Sequence, residues 1–161
     1  MNRLLFTLAL VLALPLTACD SGDPDVTPPP PATTGTVTGT ITLPPGAPGD
    51  INNARVALYT DLINFNNDVF AYNTGVQGTS YTIGNIVPGN YFLDVWKDTN
   101  NNNVIDTGDL YNYWGSTGQA GVPPTPVSIA AGQTATVSFQ VVTVTPLMEQ
   151  EIAERLASAT E

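Results

Sequence analysis

The sequence predicts an all-β fold: a single antiparallel seven-stranded β-sandwich that ends in a short C-terminal helix. Apolar and polar residues alternate in several short runs, and this period of two is typical of strands with one buried face. The runs recur about every 8–15 residues and are separated by Pro-, Gly- and Asn-rich segments, which favours a sandwich. No helical periodicity intervenes between them, which argues against a parallel sheet with crossover helices.

The first predicted strand follows Gly35, where Val37 and Ile41 alternate with threonines until a Pro-Pro-Gly turn ends the run. The other predicted strands cover 54–60, 68–72, 80–86, 91–96, 126–129 and 135–141. Turn sequences separate them, including Val-Pro-Gly-Asn at 87–90 and Ala-Gly at 131–132. Each strand therefore has its own stop signal.

Residues 146–161 have the pattern of a helix or tail. Pro146 suits a first helical position, and Met148, Ile152 and Leu156 recur at four-residue spacing. A helix of about 12 residues is marginal alone in water. Three alternatives stay open: the helix docks on the sandwich, serves a partner, or frays.

The first 18 residues have the composition of an export signal. Arg3 precedes an apolar run over 4–14, which is shorter than the roughly 20 residues that a bilayer span needs. The tetrad at 16–19, Leu-Thr-Ala-Cys, looks like a bacterial lipobox. We therefore expect cleavage after Ala18, lipidation (palmitate) of Cys19, and a cell-envelope protein anchored to a membrane by lipid, with its domain outside the cytoplasm.

Four segments follow from this interpretation. Residues 1–18 are the lipoprotein signal peptide, 19–34 the lipidated cysteine and Pro-rich linker, 35–145 the β-sandwich domain, and 146–161 the C-terminal helix or tail. The linker contains five prolines. Because proline favours an extended chain of about 3.1 Å per residue, the linker could hold a domain up to roughly 45 Å from its anchor.

Composition excludes several classes of function. The mature chain keeps three basic and 14 acidic residues, a formal side-chain charge of −11, so we expect no nucleic-acid partner. The absence of histidine excludes Ser-His-Asp and Cys-His catalysis and His-based zinc sites. Cys19 is the only cysteine, so the domain has no internal disulfide. We expect no enzyme; Asp94 and Asp98 are the only acidic pair worth considering, and we place Asp94 on the outer face of its strand.

Residues 98–109 have the ligand spacing of a calcium loop. Oxygen-bearing side chains stand at loop positions 1, 3, 5, 9 and 12, and position 7 offers a backbone carbonyl. Calcium prefers six to eight hard oxygens, and a curled loop turns alternate side chains inward. The candidate ligands are Asp98, Asn100, Asn102, Val104, Asp106 and Asp109.

Two departures predict weak binding of Ca²⁺. Position 6 is Asn103 where glycine is usual, and asparagine tolerates a positive φ better than other non-glycine residues. Position 12 is Asp109 rather than glutamate, so its arm is shorter. The alternative is a solvated Asn-rich loop, because Asn and Asp favour turns without any metal.

Three segments carry a family resemblance. The stretches 53–59, 81–91 and 95–98, followed by the Asn-rich loop, resemble bacterial transthyretin-like (prealbumin-like) β-sandwich modules over roughly 35–145. These include carboxypeptidase-regulatory-like domains and collagen-adhesin B-type repeats. The resemblance implies a transthyretin-like sandwich, a calcium loop in some members, and an accessory or structural role.

Four aromatic residues flank the loop: Trp96, Tyr111, Tyr113 and Trp114. Exposed rings beside a metal site could stack on sugars, whereas the simpler alternative is that they pack in the core. The sequence therefore predicts a structural or interaction module with another envelope protein or a polysaccharide as partner, and the alternative is a carbohydrate-binding accessory domain.

Overall fold

The structure is a computed structural model that describes residues 31–47, 49–116 and 122–158. The predicted signal peptide, Cys19 and most of the linker lie outside the described residues. The strands are β1 (Gly35–Thr42), β2 (Arg55–Tyr59), β3 (Tyr72–Gly75), β4 (Ser80–Ile86), β5 (Gly89–Lys97), β6 (Leu110–Tyr113), β7 (Val127–Ile129), β8 (Thr134–Thr136), β9 (Phe139–Gln140) and β10 (Val142–Thr143). The helices are α1 (Leu62–Asn66) and α2 (Pro146–Ser158).

The strands form two sheets. The first has the order β4-β1-β8, with β9 also paired to β1, and the second has the order β10-β6-β5-β2-β3, with β7 paired to β5. Alternate residues of both sheets pack into one core between them, among them Val37, Ile83, Val56 and Val95. The predicted all-β sandwich with a C-terminal helix is confirmed.

The last predicted strand differs in detail from 135–141. It is divided into β8 and β9, which run parallel to β1, and the next strand, β10, lies beyond the predicted segment and is antiparallel to β6. Val137 and Val141 continue the contact with β1 by donating backbone hydrogen bonds to the carbonyls of Thr38 (2.8 Å) and Thr42 (3.0 Å). The segment thus passes from the first sheet to the second, which interrupts its ladder.

The outer face of the second sheet is covered by both helices. Phe65 of α1 packs with Tyr59, and Ile152 of α2 packs with Tyr111 and Val144. All five of these side chains are buried. Of the three alternatives for the C-terminal segment, docking on the sandwich is the one observed.

Three local elements differ from the sequence prediction. The third strand is β3 at 72–75 rather than 68–72, because the chain first returns from α1 through Asp68, whose φ is 55°. Helix α1 is five residues long, which is too short to show a helical period. Strand β6 lies where the sequence predicts a long connection, and it pairs with β5 over four residues.

Within the described residues, neither helix has the length and apolar character needed to cross a membrane.

The close approach of β1 and the segment after β8 predicts a strict need for glycine at position 39. A Cβ on Gly39 would overlap the Val137 carbonyl oxygen and lie 2.6 Å from its carbonyl carbon, both of which are backbone atoms. We expect Gly39→Ala to lower the free energy of unfolding by about 2–3 kcal/mol. Urea titration measures this change.

The matched control is Gly84→Ala in the neighbouring strand β4. A Cβ there would meet only the Thr36 Oγ1 atom, at 4.0 Å, so we expect a change within about 0.5 kcal/mol. Equal stability of the two variants would contradict the packing described for Gly39.

Candidate functional site

The loop at 98–109 joins β5 to β6 at one end of the sandwich. Lys97 and Leu110, the residues on either side of it, are paired across the two strands. Its base is also tied to the C-terminal segment, because the Gly108 N–H donates to the Val144 carbonyl (3.0 Å). Glu149 of α2 accepts hydrogen bonds from the Thr107 backbone N–H (3.0 Å) and hydroxyl (2.5 Å). The loop therefore has fixed ends.

Asp98 organises the first half of the loop. Its carboxylate accepts hydrogen bonds from the backbone N–H groups of Asn102 (3.2 Å) and Asn103 (2.8 Å). Asn103 has φ 61° and Asn101 has φ 60°, so the chain curls back over the Asp98 carboxylate. The positive φ that a calcium loop needs at position 6 is thus adopted by asparagine.

Three more candidate ligands meet above this curl. The side-chain amides of Asn100 and Asn102 approach Asp106, with Nδ2-to-carboxylate distances of 3.1 and 2.5 Å. An amide can present its oxygen in place of its nitrogen by a half-turn about its terminal torsion. The amide oxygens of Asn100 and Asn102 already accept hydrogen bonds from the backbone N–H groups of Asn102 (3.0 Å) and Val104 (2.8 Å), so turning them toward a cation would require these two bonds to be exchanged.

Asp109 does not join this group. Its side chain is fully buried, and it accepts hydrogen bonds from the Trp96 indole N–H (2.8 Å) and from the Thr99 N–H (2.9 Å) and hydroxyl (3.0 Å). In this arrangement Asp109 fixes the base of the loop. Among the residues that the structure describes, no three acidic, His or Cys side chains gather to hold a metal, so a cation would need the amide and carbonyl oxygens as well.

The two apolar loop residues differ in their surroundings. Val104 is exposed, and its N–H donates to the Asn102 side-chain oxygen (2.8 Å). Ile105 is half-buried and packs with Tyr111 and the helix α2 cluster. Ile105 therefore holds the loop against the domain, and the Val104 side chain lies in solvent.

The four flanking aromatic residues do not share one exposed surface. Tyr111 is buried, and its hydroxyl accepts a hydrogen bond from Arg155 (3.1 Å). Trp96 lies beneath the Arg55 guanidinium, 5.0 Å from the ring centroid. Tyr113 packs on Phe65, and Trp114 packs on the other side of the sheet against Phe139.

A groove of about 980 Å³ lies between α2 and the outer face of the second sheet. Tyr111 and Tyr113 line it from β6, and Glu151, Glu154 and Arg155 line it from α2. Two of the four predicted aromatic residues therefore border this groove, whereas Trp114 lines a smaller space of about 300 Å³ beside Tyr113 and Phe139.

Sequence reasoning missed a polar cluster on the same outer face, in which Tyr59 and Asp94 are buried and Arg55 and Asp68 are partly buried. Asp68 receives two hydrogen bonds from Arg55 (2.6 and 2.9 Å) and one from the Tyr59 hydroxyl (2.6 Å). The same hydroxyl lies 3.1 and 3.2 Å from the two carboxyl oxygens of Asp94, which is 1% exposed. Asp94 lies on the outer face as expected, but α1 and α2 cover that face, so the residue is not in solvent.

The Tyr59 hydroxyl carries one proton and cannot donate to both carboxylates. Its shorter contact is with Asp68, so a proton on Asp94 completes a chain in which Asp94 donates to Tyr59 and Tyr59 donates to Asp68. Burial raises the pKa of Asp94 to about 7, against the opposing attraction of the Arg55 guanidinium. Asp98 accepts hydrogen bonds from the backbone of its own loop, whereas Asp94 lies against Tyr59 on the covered outer face.

The raised pKa of Asp94 predicts a specific loss of stability with pH. In an unfolded chain an aspartate has a pKa of about 3.9, so the folded state retains a proton that the unfolded state loses. This contribution to stability is complete below about pH 4 and is lost as pH rises through about 7. Asp94→Asn removes the titration and keeps a hydrogen-bond donor for Tyr59.

We therefore expect the free energy of unfolding of the native chain, measured by urea titration and compared with that of Asp94→Asn, to fall by about 2–4 kcal/mol between pH 4 and pH 8. Asp50→Asn, at an exposed loop residue, is the control and should follow the native profile. Parallel profiles for the native chain and Asp94→Asn would show that Asp94 is ionised throughout this range.

Comparison with known proteins finds distant structural likenesses only. No family model and no curated protein matches the chain. The minor pilin GBS52 of Streptococcus agalactiae is 15% identical, with a TM-score of 0.41 over 71% of this chain and 47% of its own. The major pilin subunit BcpA of Bacillus cereus is 14% identical (TM-score 0.40; 68% and 30%). A candidate carbohydrate-binding protein of Pseudomonas aeruginosa is 11% identical (TM-score 0.40; 69% and 90%). The chain spans less than half the length of either pilin.

Proposed function

We propose that this chain is a cell-envelope lipoprotein, anchored to a membrane through Cys19, whose β-sandwich has a structural or interaction role and is stiffened by calcium at loop 98–109. The observation that carries the calcium part is the geometry of one curled loop, in which Asn100 and Asn102 contact Asp106 and the Asp98 carboxylate accepts hydrogen bonds from the backbone of Asn102 and Asn103. The lipid anchor is supported by the export signal and by the Leu-Thr-Ala-Cys tetrad.

The donor chemistry suits calcium better than magnesium or a transition metal. The converging groups are carboxylate and amide oxygens, and the sequence has no histidine to select zinc or copper. Asp98, Asn100, Asn102 and Asp106 would hold the ion through side chains, and the Val104 carbonyl would complete one side. Asp109, at the base of the loop, would contact the ion through a water molecule, or directly if it gave up its hydrogen bond from Trp96.

The structural role is supported by how the loop is attached. Thr107 contacts Glu149 of α2, and Asp109 contacts Trp96 of β5, so an ion that fixes the loop also fixes the junction of strand and helix. A buried Asp94 offers no carboxyl to a substrate, which favours a binding or structural role over hydrolysis.

A carbohydrate-binding accessory role is the second candidate. The groove beside α2 favours it, since Tyr113 and Tyr111 border a space that also contains carboxylates of Glu151 and Glu154. The packing of both tryptophans against other side chains weighs against a flat stacking platform.

Calcium binding is tested by thermal unfolding of the mature chain in about 10 mM calcium and in chelator. A ligand that binds only the folded state near ten times its dissociation constant adds about 1.4 kcal/mol, a shift of several degrees for this size of domain. We expect the shift for the native chain and for Asp50→Ala, and its loss in Asp98→Ala. If calcium does not raise the unfolding temperature of the native chain, residues 98–109 are a solvated loop that does not bind the ion.

Lipidation is tested by expressing the full chain in a bacterium and measuring its intact mass in the membrane fraction. We expect cleavage before Cys19 and a mass increase equal to a lipid modification on the new N-terminus. Cys19→Ala should lose both the added mass and the membrane association. A native chain that is cleaved but not lipidated would contradict the proposed anchor.

A further inference from the structure

Asp109 ends the 98–109 loop, and both of its carboxylate oxygens are occupied. The Oδ1 atom accepts hydrogen bonds from the Thr99 backbone N–H (2.9 Å) and hydroxyl (3.0 Å). The Oδ2 atom accepts a hydrogen bond from the Trp96 indole N–H (2.8 Å) and lies 3.4 Å from the Asp106 backbone nitrogen. The twelfth position of a calcium loop usually supplies a carboxylate to the ion, whereas here that carboxylate is buried and bonded to the protein.

The contacts of Asp109 differ in how firmly they are held. Thr99 and Asp106 belong to the loop itself, so they can shift together with Asp109 when the loop changes shape. Trp96 belongs to strand β5, which is paired with β2 on one side and with β6 on the other. The indole N–H is therefore the contact that ties the Asp109 carboxylate to the sheet.

The Trp96 ring is held in place by Arg55. The two residues are paired across β2 and β5, and the guanidinium lies 5.0 Å from the centroid of the indole ring. The same guanidinium lies 5.2 Å from the centroid of the Phe70 ring and donates two hydrogen bonds to the Asp68 carboxylate (2.6 and 2.9 Å). A cation stacked on the ring and fixed by an ion pair restrains the indole, so its N–H keeps its direction if the Asp109 carboxylate moves away.

A cation in the loop would compete with Trp96 for the same carboxylate. Asp106, at loop position 9, is a candidate ligand, and its backbone nitrogen already lies near the Asp109 Oδ2 atom. A divalent cation among the loop oxygens would attract this oxygen, but direct coordination requires the hydrogen bond from the indole to be given up. A hydrogen bond to a charged group is stronger than one between neutral groups, and an indole N–H left without an acceptor adds a desolvation cost. Binding of the ion therefore has to break a contact that the ion-free loop makes.

We propose that Trp96 sets the calcium affinity of the loop by holding the Asp109 carboxylate away from the ion, and that calcium takes this carboxylate from the indole when it binds. Trp96 then acts through Asp109 as a positioning residue and does not touch the ion; this role rests on the proposed calcium function. Weak binding has a second cause besides the short side chain at position 12, namely the competing indole donor. A loop without that donor would bind calcium more tightly.

Trp96→Phe tests this role, because it keeps an aromatic ring beside Arg55 and removes the N–H. Calcium binding to the mature chain is measured by isothermal titration calorimetry, and thermal unfolding in chelator checks that each variant is folded. The matched control is Trp114→Phe, the same substitution at the other tryptophan, which packs against Phe139.

We expect Trp96→Phe to bind calcium about tenfold more tightly than the native chain, and Trp114→Phe to bind it as the native chain does. Combining Trp96→Phe with Asp109→Asn should remove the gain, since the charge that the ion would attract is then absent.

Fluorescence gives a second readout that does not depend on the folding of Trp96→Phe. In Trp114→Phe the only remaining tryptophan is Trp96, so its emission reports whether the indole keeps its carboxylate acceptor. We expect calcium to change this emission over the concentration range in which calorimetry detects binding. Calcium binding with unchanged Trp96 emission would overturn the proposal.

The calorimetric outcomes separate the role of Trp96 from the calcium function. Equal or weaker binding by Trp96→Phe, compared with the native chain, would overturn the role of Trp96 and leave the calcium loop in place. Absence of binding by the native chain and by Trp96→Phe alike would overturn both. Binding by Trp96→Phe alone would support the role of Trp96 and contradict calcium binding by the native loop.

Discussion

The second sheet is buried on both of its faces, and most features of this domain depend on that constraint. The inner face meets the first sheet through Val56, Leu58, Leu93 and Val95. The outer face carries Tyr59, Asp94 and Tyr111, which are almost fully removed from solvent. A β-sandwich with only two layers would leave this outer face in water, so α1 and α2 are needed to complete the fold rather than appended to it.

Burial of the outer face explains why its polar groups form a connected cluster. An unpaired carboxyl in an apolar setting costs several kcal/mol, and an ionised one costs more. Hydrogen bonds connect the side chains of Arg55, Asp68, Tyr59 and Asp94. Tyr59 has one proton, which it donates to Asp68, so the hydrogen bond between Tyr59 and Asp94 needs a proton that Asp94 retains. Arg155 adds a second guanidinium over Phe65, 4.5 Å from the ring centroid, so α2 contributes charge as well as apolar area to this layer.

Much of the sandwich could be predicted from the sequence because β1, and most of β4, alternate between buried and more exposed residues. Strand β5 does not alternate in burial, since Leu93, Asp94 and Val95 are all buried, but the turn sequence before it marks where it begins. Strand β6 and helix α1 could not be predicted, since four or five residues show no resolved period. The positive φ of Asn103 follows from loop spacing alone, which is a local property. The inward turn of Asp109 toward Trp96 and the Tyr59–Asp94 contact join residues 13 and 35 positions apart, and no local pattern encodes such pairs.

Helix α2 joins the 98–109 loop to the rest of the outer layer. Glu149 in its first turn accepts hydrogen bonds from Thr107 of the loop, and the Arg155 guanidinium lies over Phe65 of α1, 4.5 Å from the ring centroid. The loop and both helices are therefore linked by direct contacts across the outer face of the second sheet. An ion that fixes the loop would restrict the first turn of α2, and through it the layer that buries Tyr111.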